Sequence, residues 1–108
     1  MKSRYTVQHE IEWGKIAVIM FKRGARADDN REVRLNTKVS LPRKIRINDR
    51  VLKRNSWIEH LGTDTGNGHY VAFRKVRSKV IRIDDEIITD VPASENINSD
   101  CVTMVTYL

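Results

Sequence analysis

A mainly antiparallel β domain is the fold class this sequence predicts, and three observations predict it. Apolar residues alternate with polar ones at a period of two rather than 3.6. No segment carries the spacing of a long amphipathic helix. Turn and breaker residues punctuate the alternating runs, as Pro42 and Asn48-Asp49 do.

The elements follow in order. Ile16 to Phe21, bracketed by Lys15 and Lys22, is a short continuous apolar run and reads as a strand buried on both faces. Gly24 to Asn30 is polar and reads as a loop. Val33, Leu35, Thr37, Val39 and Leu41 alternate with Arg34, Asn36, Lys38 and Ser40, a half-buried strand ended by Pro42. Ile45 and Ile47 carry the alternation a little further before a turn at Asn48-Asp49. Val51 to His60 is the next strand, and Tyr70 to Val76 with Lys79 to Ile83 form the two arms of a hairpin. Glu95 to Asp100 reads as a connection with room for one helical turn. Val102 to Tyr107, rich in β-branched residues, is the closing strand.

The 108 residues allow one small domain, and with 40% hydrophobic and 31% charged residues the chain is neither disordered nor collagen-like. The longest apolar run falls far short of the roughly 20 residues of a membrane helix, and no apolar region follows the basic start, so neither membrane nor secretion is expected. The single cysteine, Cys101, excludes an internal disulfide and a Cys-rich zinc module, so an intracellular, reducing compartment, cytoplasmic or nuclear, is expected. Six short strands in so small a chain bury a marginal core. The chain therefore reads as part of a larger fold or assembly.

Charge is unevenly spread. All 20 Lys and Arg lie between Lys2 and Arg82 with eight acids, a local balance of +12, whereas six acids and no base follow. Such a basic body fits nucleic acid, but ordinary solvated strand faces explain it more simply, and no nucleic-acid motif accompanies the charge.

The informative stretch is His60-Leu61-Gly62-Thr63-Asp64-Thr65-Gly66-Asn67-Gly68-His69-Tyr70. Three glycines in seven residues mark a sharply bending loop, and His69 stands where it enters a strand. Asp84-Asp85 ends the returning arm of the hairpin. A turn at Val76-Arg77 sets His69 directly opposite Asp84, while a turn at Arg77-Ser78 makes the pair diagonal on the same face. Either way an imidazole meets a carboxylate, the arrangement of a general base and its orienting group. Spacing alone favours a surface His–Asp pair over that reading. His60, His69, Asp84 and Cys101 lack any standard zinc spacing, so no metal and no cofactor is expected.

Trp57-Ile58-Glu59-His60-Leu61-Gly62, then Gly68-His69-Tyr70-Val71-Ala72-Phe73-Arg74, then Ile83-Asp84-Asp85, closely resembles the histidine box of the ubiquitin-specific proteases, cysteine-type deubiquitinases. Ala17 to Arg23 resembles that family's buried strand ending in Lys-Arg, Thr37 to Pro42 its strand ending in Pro, and Thr103 to Tyr107 its last strand. The resemblance covers about Val18 to Leu108. It implies the β-rich C-terminal half of a papain-like protease fold, of α+β class, with residues 1–108 forming a single incomplete catalytic subdomain.

By the same resemblance, His69 is the general base and Asp84 its orienting acid. Gly68 borders the channel for the substrate's Gly-Gly tail, and Tyr70 is a channel wall or core. Gly62 and Asp64 belong to a loop touching the ubiquitin tail, Gly24 to Arg31 to a second such loop, and Asp85 is a neighbouring polar residue; Trp57 reads as core. Acids at Asp64, Asp84, Asp85 and Glu86 are expected near the cleft, with Arg34, Lys38, Arg43, Lys44, Arg46 and Arg50 on other faces. The family's nucleophile box and the zinc-binding cysteine pairs of its fingers region are absent, and Cys101 matches no nucleophile position. Val80 stands where many members have Trp, and Ile83 where they have an aromatic residue. The function expected is therefore the His/Asp part of a thiol-dependent deubiquitinase site, completed by a nucleophile-bearing N-terminal half, with ubiquitin or a ubiquitin-conjugated protein as partner. A catalytically dead ubiquitin-binding module is the first alternative, and a basic β domain binding nucleic acid the second.

Overall fold

Eleven strands lie among the residues that the computed structural model describes, 16–26, 28–62, 68–92 and 96–108. They are β1 (Ala17–Met20), β2 (Gly24–Arg26), β3 (Glu32–Arg34), β4 (Val39–Pro42), β5 (Lys44–Ile47), β6 (Arg50–Leu61), β7 (His69–Val76), β8 (Lys79–Asp84), β9 (Ile87–Val91), β10 (Asn96–Ser99) and β11 (Val102–Tyr107). All the strand pairs are antiparallel. The main sheet runs β1-β11-β6-β7-β8-β9, with β5 paired to the first part of β6; β10 pairs β4, and β2 pairs β3. The expected fold class is the observed one, and no helix occurs among the described residues.

Several elements differ from expectation for local reasons. Gly24–Arg26, expected in a loop, is one arm of a hairpin with β3, Ala25 opposite Val33. The single strand expected from Val33 to Leu41 is two, β3 and β4, because the guanidinium of buried Arg23 captures the backbone in between. Its Nη1 donates to the carbonyls of Leu35 (3.3 Å) and Thr37 (2.6 Å), and its Nε to that of Val102 (2.8 Å). Carbonyls turned toward the Arg23 guanidinium point away from a neighbouring strand. The connection expected before Asp100 is strand β10, paired to β4. Strand β9 follows a two-residue turn at Asp85-Glu86 that the acidic run concealed. Strand β1 is not buried on both faces: it is the edge of its sheet, with Ala17 inaccessible and Val18, Ile19 and Met20 half-buried.

The long strand β6 stays in register with the core by means of bulges. Opposite it, β11 pairs Thr106 with Ser56 but Tyr107 with Arg54, so Asn55 is an extra residue. A single extra residue reverses the alternation. Leu52 and Trp57, an odd number of positions apart, therefore both bury their side chains in the core with Ala17, Val39, Leu41, Val80, Val102, Val105 and Tyr107. Trp57 stacks on its cross-strand neighbour Phe73 with ring centroids 4.8 Å apart, which places it in the core as expected. Burial of apolar area of this kind is the main favourable term in the fold, at roughly 25 cal/mol per Å².

Candidate active site

The β7–β8 hairpin positions the central pair. Its register sets Val76 opposite Lys79 and Ala72 opposite Ile83, so the turn is Arg77-Ser78. Arg77 takes a φ of 56°, as the first residue of a tight hairpin turn must. Of the two turns compatible with the sequence, this is the one that makes His69 and Asp84 diagonal neighbours on one face. Their side chains meet: Nε2 of His69 hydrogen-bonds Oδ1 of Asp84. The second carboxylate oxygen accepts a longer bond from Nη1 of Arg82 (3.3 Å), two residues back on the same face of β8. His69 remains partly open to solvent, with its side chain 43% exposed.

The electrostatics follow from these contacts. The hydrogen bond to Asp84, and then the charge of that carboxylate, raises the His69 pKa above its ordinary value, with a smaller push from Asp85 and opposition from partial burial and Arg82. The Asp84 carboxyl is lowered, chiefly by the bond to His69. With Nε2 engaged by the carboxylate, Nδ1 is the nitrogen left to exchange a proton with a reacting group. Asp85 lies beside the pair in the β8–β9 turn at a φ of 53°. One ligand atom each from His69, Asp84 and Asp85 lie within 4.8 Å of one another. His69 and Asp84 already spend one such atom each on the bond between them.

A second layer holds the start of β7. His60 is buried and its ring leans on Tyr70, centroids 4.7 Å apart. Arg34, from β3, clamps this corner: Nη1 lies 3.1 Å from Nδ1 of His60 and donates to the Gly62 carbonyl, while Nη2 donates to the His60 carbonyl. The expectation that Arg34 sits away from the cleft is thus corrected, because its guanidinium bonds the His60 and Gly62 carbonyls at the end of β6. Gly68 turns against the same ring. A Cβ there would meet the Leu61 carbonyl and the His60 imidazole, so in this structure its missing side chain makes room for β6. Tyr70 is 62% exposed and is not core. Asp64 falls outside the described residues, as do its neighbours in 63–67.

Cys101 is built into a different corner. Its thiol donates to Oε1 of Glu59 (3.0 Å) and lies 3.6 Å from the Ser99 hydroxyl, while the other Glu59 oxygen accepts from the Trp57 indole (3.0 Å). Burial first, and then the Glu59 carboxylate, raise the thiol pKa to about 11. A thiol so poised is protonated at neutral pH and a poor nucleophile. Arg34, Glu59 and Arg82 were missed as neighbours of these groups by sequence reasoning; only Arg82, two positions before Asp84, carried a local signal.

The profile of a family described as ubiquitin carboxyl-terminal hydrolase matches residues 14–107. No curated protein matches the chain. Among solved structures, the Ubp8-Sgf11-Sgf73-Sus1 SAGA DUB module is similar with a TM-score of 0.74 at 17% identity, and a yeast SAGA DUB module carrying a mutant Sgf73 with 0.72 at 15%. In both cases 86% of this chain is covered but only 23% of the other. At such identity the likeness is one of fold, and the chain spans about a quarter of the length of these neighbours. Among the described residues no helix is long and apolar enough to cross a membrane.

Proposed function

Since this chain belongs to the ubiquitin carboxyl-terminal hydrolase family, we propose that it supplies the base and its orienting acid to a cysteine-type deubiquitinase site, as a single C-terminal catalytic subdomain of a longer catalytic fold. The observation that carries the reading is the contact of His69 Nε2 with Asp84 at the start of β7. In this reading Nδ1 of His69 takes the proton of a cysteine thiol supplied by the nucleophile-bearing half. The thiolate attacks the carbonyl carbon at the C-terminus of ubiquitin, and the imidazolium returns the proton to the leaving amine. Water then hydrolyses the thioester, with His69 again as base. Asp84 keeps the imidazole in one tautomer and favours its charged form, and Arg82 holds the other carboxylate oxygen. Tyr70, Gly62, Asp64, Gly68 and Asp85 are proposed to line the approach of the ubiquitin tail, and a cytoplasmic or nuclear site of action follows from the substrate.

Cys101 is not the nucleophile in this reading, because its thiol is held by Glu59 and kept protonated. The test uses the longest polypeptide that the gene encodes and a fluorogenic ubiquitin C-terminal amide. His69→Ala should abolish turnover, Asp84→Asn should lower kcat at least about 10²-fold, and Cys101→Ala should leave it unchanged. Activity surviving His69→Ala, or lost with Cys101→Ala, overturns the assignment. Tight binding of labelled ubiquitin without turnover would identify a dead binding module instead.

A further inference from the structure

The β5–β6 hairpin lies at the far end of β6 from His69. Leu61, which pairs with His69, is eight residues from Lys53, roughly 25 Å along an extended strand. Residues 43–53 hold five bases and one acid, Asp49. The register puts Lys44 opposite Lys53, Arg46 opposite Val51, and Ile45 opposite Leu52 around the Asn48-Asp49 turn. Ile45, Ile47 and Leu52 pack on the core, so Lys44, Arg46, Val51 and Lys53 share the outer face, and all four are exposed. Arg50 is exposed beside the turn.

Two features set this face apart from an ordinary solvated strand. Lys44 and Lys53 are directly opposed like charges, an arrangement that destabilises a strand pair by itself. Neither these two nor Arg46 has an anionic partner among the described residues. The face also carries no aromatic side chain. It therefore lacks the stacking platform used for single strands and the aromatic anchors that centre protein interfaces. It offers cations about 7 Å apart along a strand and one exposed aliphatic side chain, Val51, which suits contact with successive phosphates and not the reading of bases.

We propose that the outer face of the β5–β6 hairpin binds the phosphate backbone of double-stranded nucleic acid without sequence preference, independently of the His69–Asp84 site. Three cations (Lys44, Arg46 and Lys53) contacting phosphates give a slope of log K against log salt of about −2.7, and an affinity loss of about 40-fold between about 50 and 200 mM salt.

The test is a titration of the full chain with duplex DNA of about 30 base pairs in two unrelated sequences, at several salt concentrations, beside a single strand and poly-glutamate. Equal binding to both duplexes with that slope is expected, and Lys44→Gln with Arg46→Gln and Lys53→Gln should reduce the slope by about 2.7. Lys53→Glu separates binding from folding: an opposite charge facing Lys44 should leave the thermal midpoint unchanged or higher while weakening duplex binding. Absence of duplex binding at about 50 mM salt, binding untouched by the triple variant, tighter binding to the single strand, or tighter binding to poly-glutamate each overturns the proposal. The last outcome would mark an acidic protein surface as the partner.

Discussion

Replacing Gly68 with Ala tests how the strand that bears His69 is held. An ideal Cβ at this position would press on the Leu61 carbonyl oxygen and lie 2.5 Å from Nε2 of His60 and 2.6 Å from its Cε1. Non-bonded atoms prefer about 3.5–4.0 Å, so the overlap with the ring is about 1 Å. Neither neighbour yields readily. Leu61 is laddered to His69, and His60 is 6% exposed with Arg34 against its Nδ1. The φ of +147° adds a backbone cost of about 1–3 kcal/mol for any residue with a Cβ. Overpacking adds about 1–3 kcal/mol. The expected loss is about 3–4 kcal/mol, read as a fall in the urea midpoint of circular dichroism with an unchanged m-value. The two causes separate in a double-mutant cycle. His60→Ala removes the ring but not the carbonyl, so the combined variant should be about 1 kcal/mol more stable than the sum of the single losses predicts. A Gly68→Ala variant within about 1 kcal/mol of the parent would refute this account of the corner, and a strictly additive cycle would refute the role of the ring.

Three further outcomes are expected. The raised His69 pKa contributes stability below its ordinary 6.5 that is lost as pH rises through the folded value, and the lowered Asp84 contributes above 3.8 what is lost as pH falls through its own; the pair's contribution is thus complete between 3.8 and 6.5, and an NMR titration should show His69 above 6.5 in the parent and lower in Asp84→Asn. Cys101, with a pKa of about 11 against an ordinary 9.0, should react with iodoacetamide at pH 8 about a hundredfold more slowly than an ordinary thiol until the chain is unfolded, and equal rates in native and unfolded protein would contradict its placement. Arg34→Met removes three hydrogen bonds from the end of β6 and should cost about 2–3 kcal/mol in urea unfolding, with earlier amide exchange at Gly62 and His69 than in the rest of β7; uniform exchange would show that the clamp is not local.

Pattern and turn chemistry determined much of this protein without tertiary information. The alternation in β4 and the β-branched run of β11 sufficed for two strands, and Asn48-Asp49, both at positive φ, for the turn between β5 and β6. The spacing of His69 and Asp84 on one hairpin sufficed for a shared face, because the period of two makes that a local property. The choice between the two possible turns was not local. It depends on how β8 meets β7 and β9 together, where Val80 faces the core and Asp84 the sheet end. Arg23 and Arg34 were illegible for the same reason. Each looked like one base among twenty, yet the fold buries one against three carbonyls and drives the other into the angle beside His60. Long-range contacts of this kind join residues up to 79 positions apart, and no local period encodes them. A guanidinium bonded to backbone carbonyls leaves no partner side chain in the sequence to betray it.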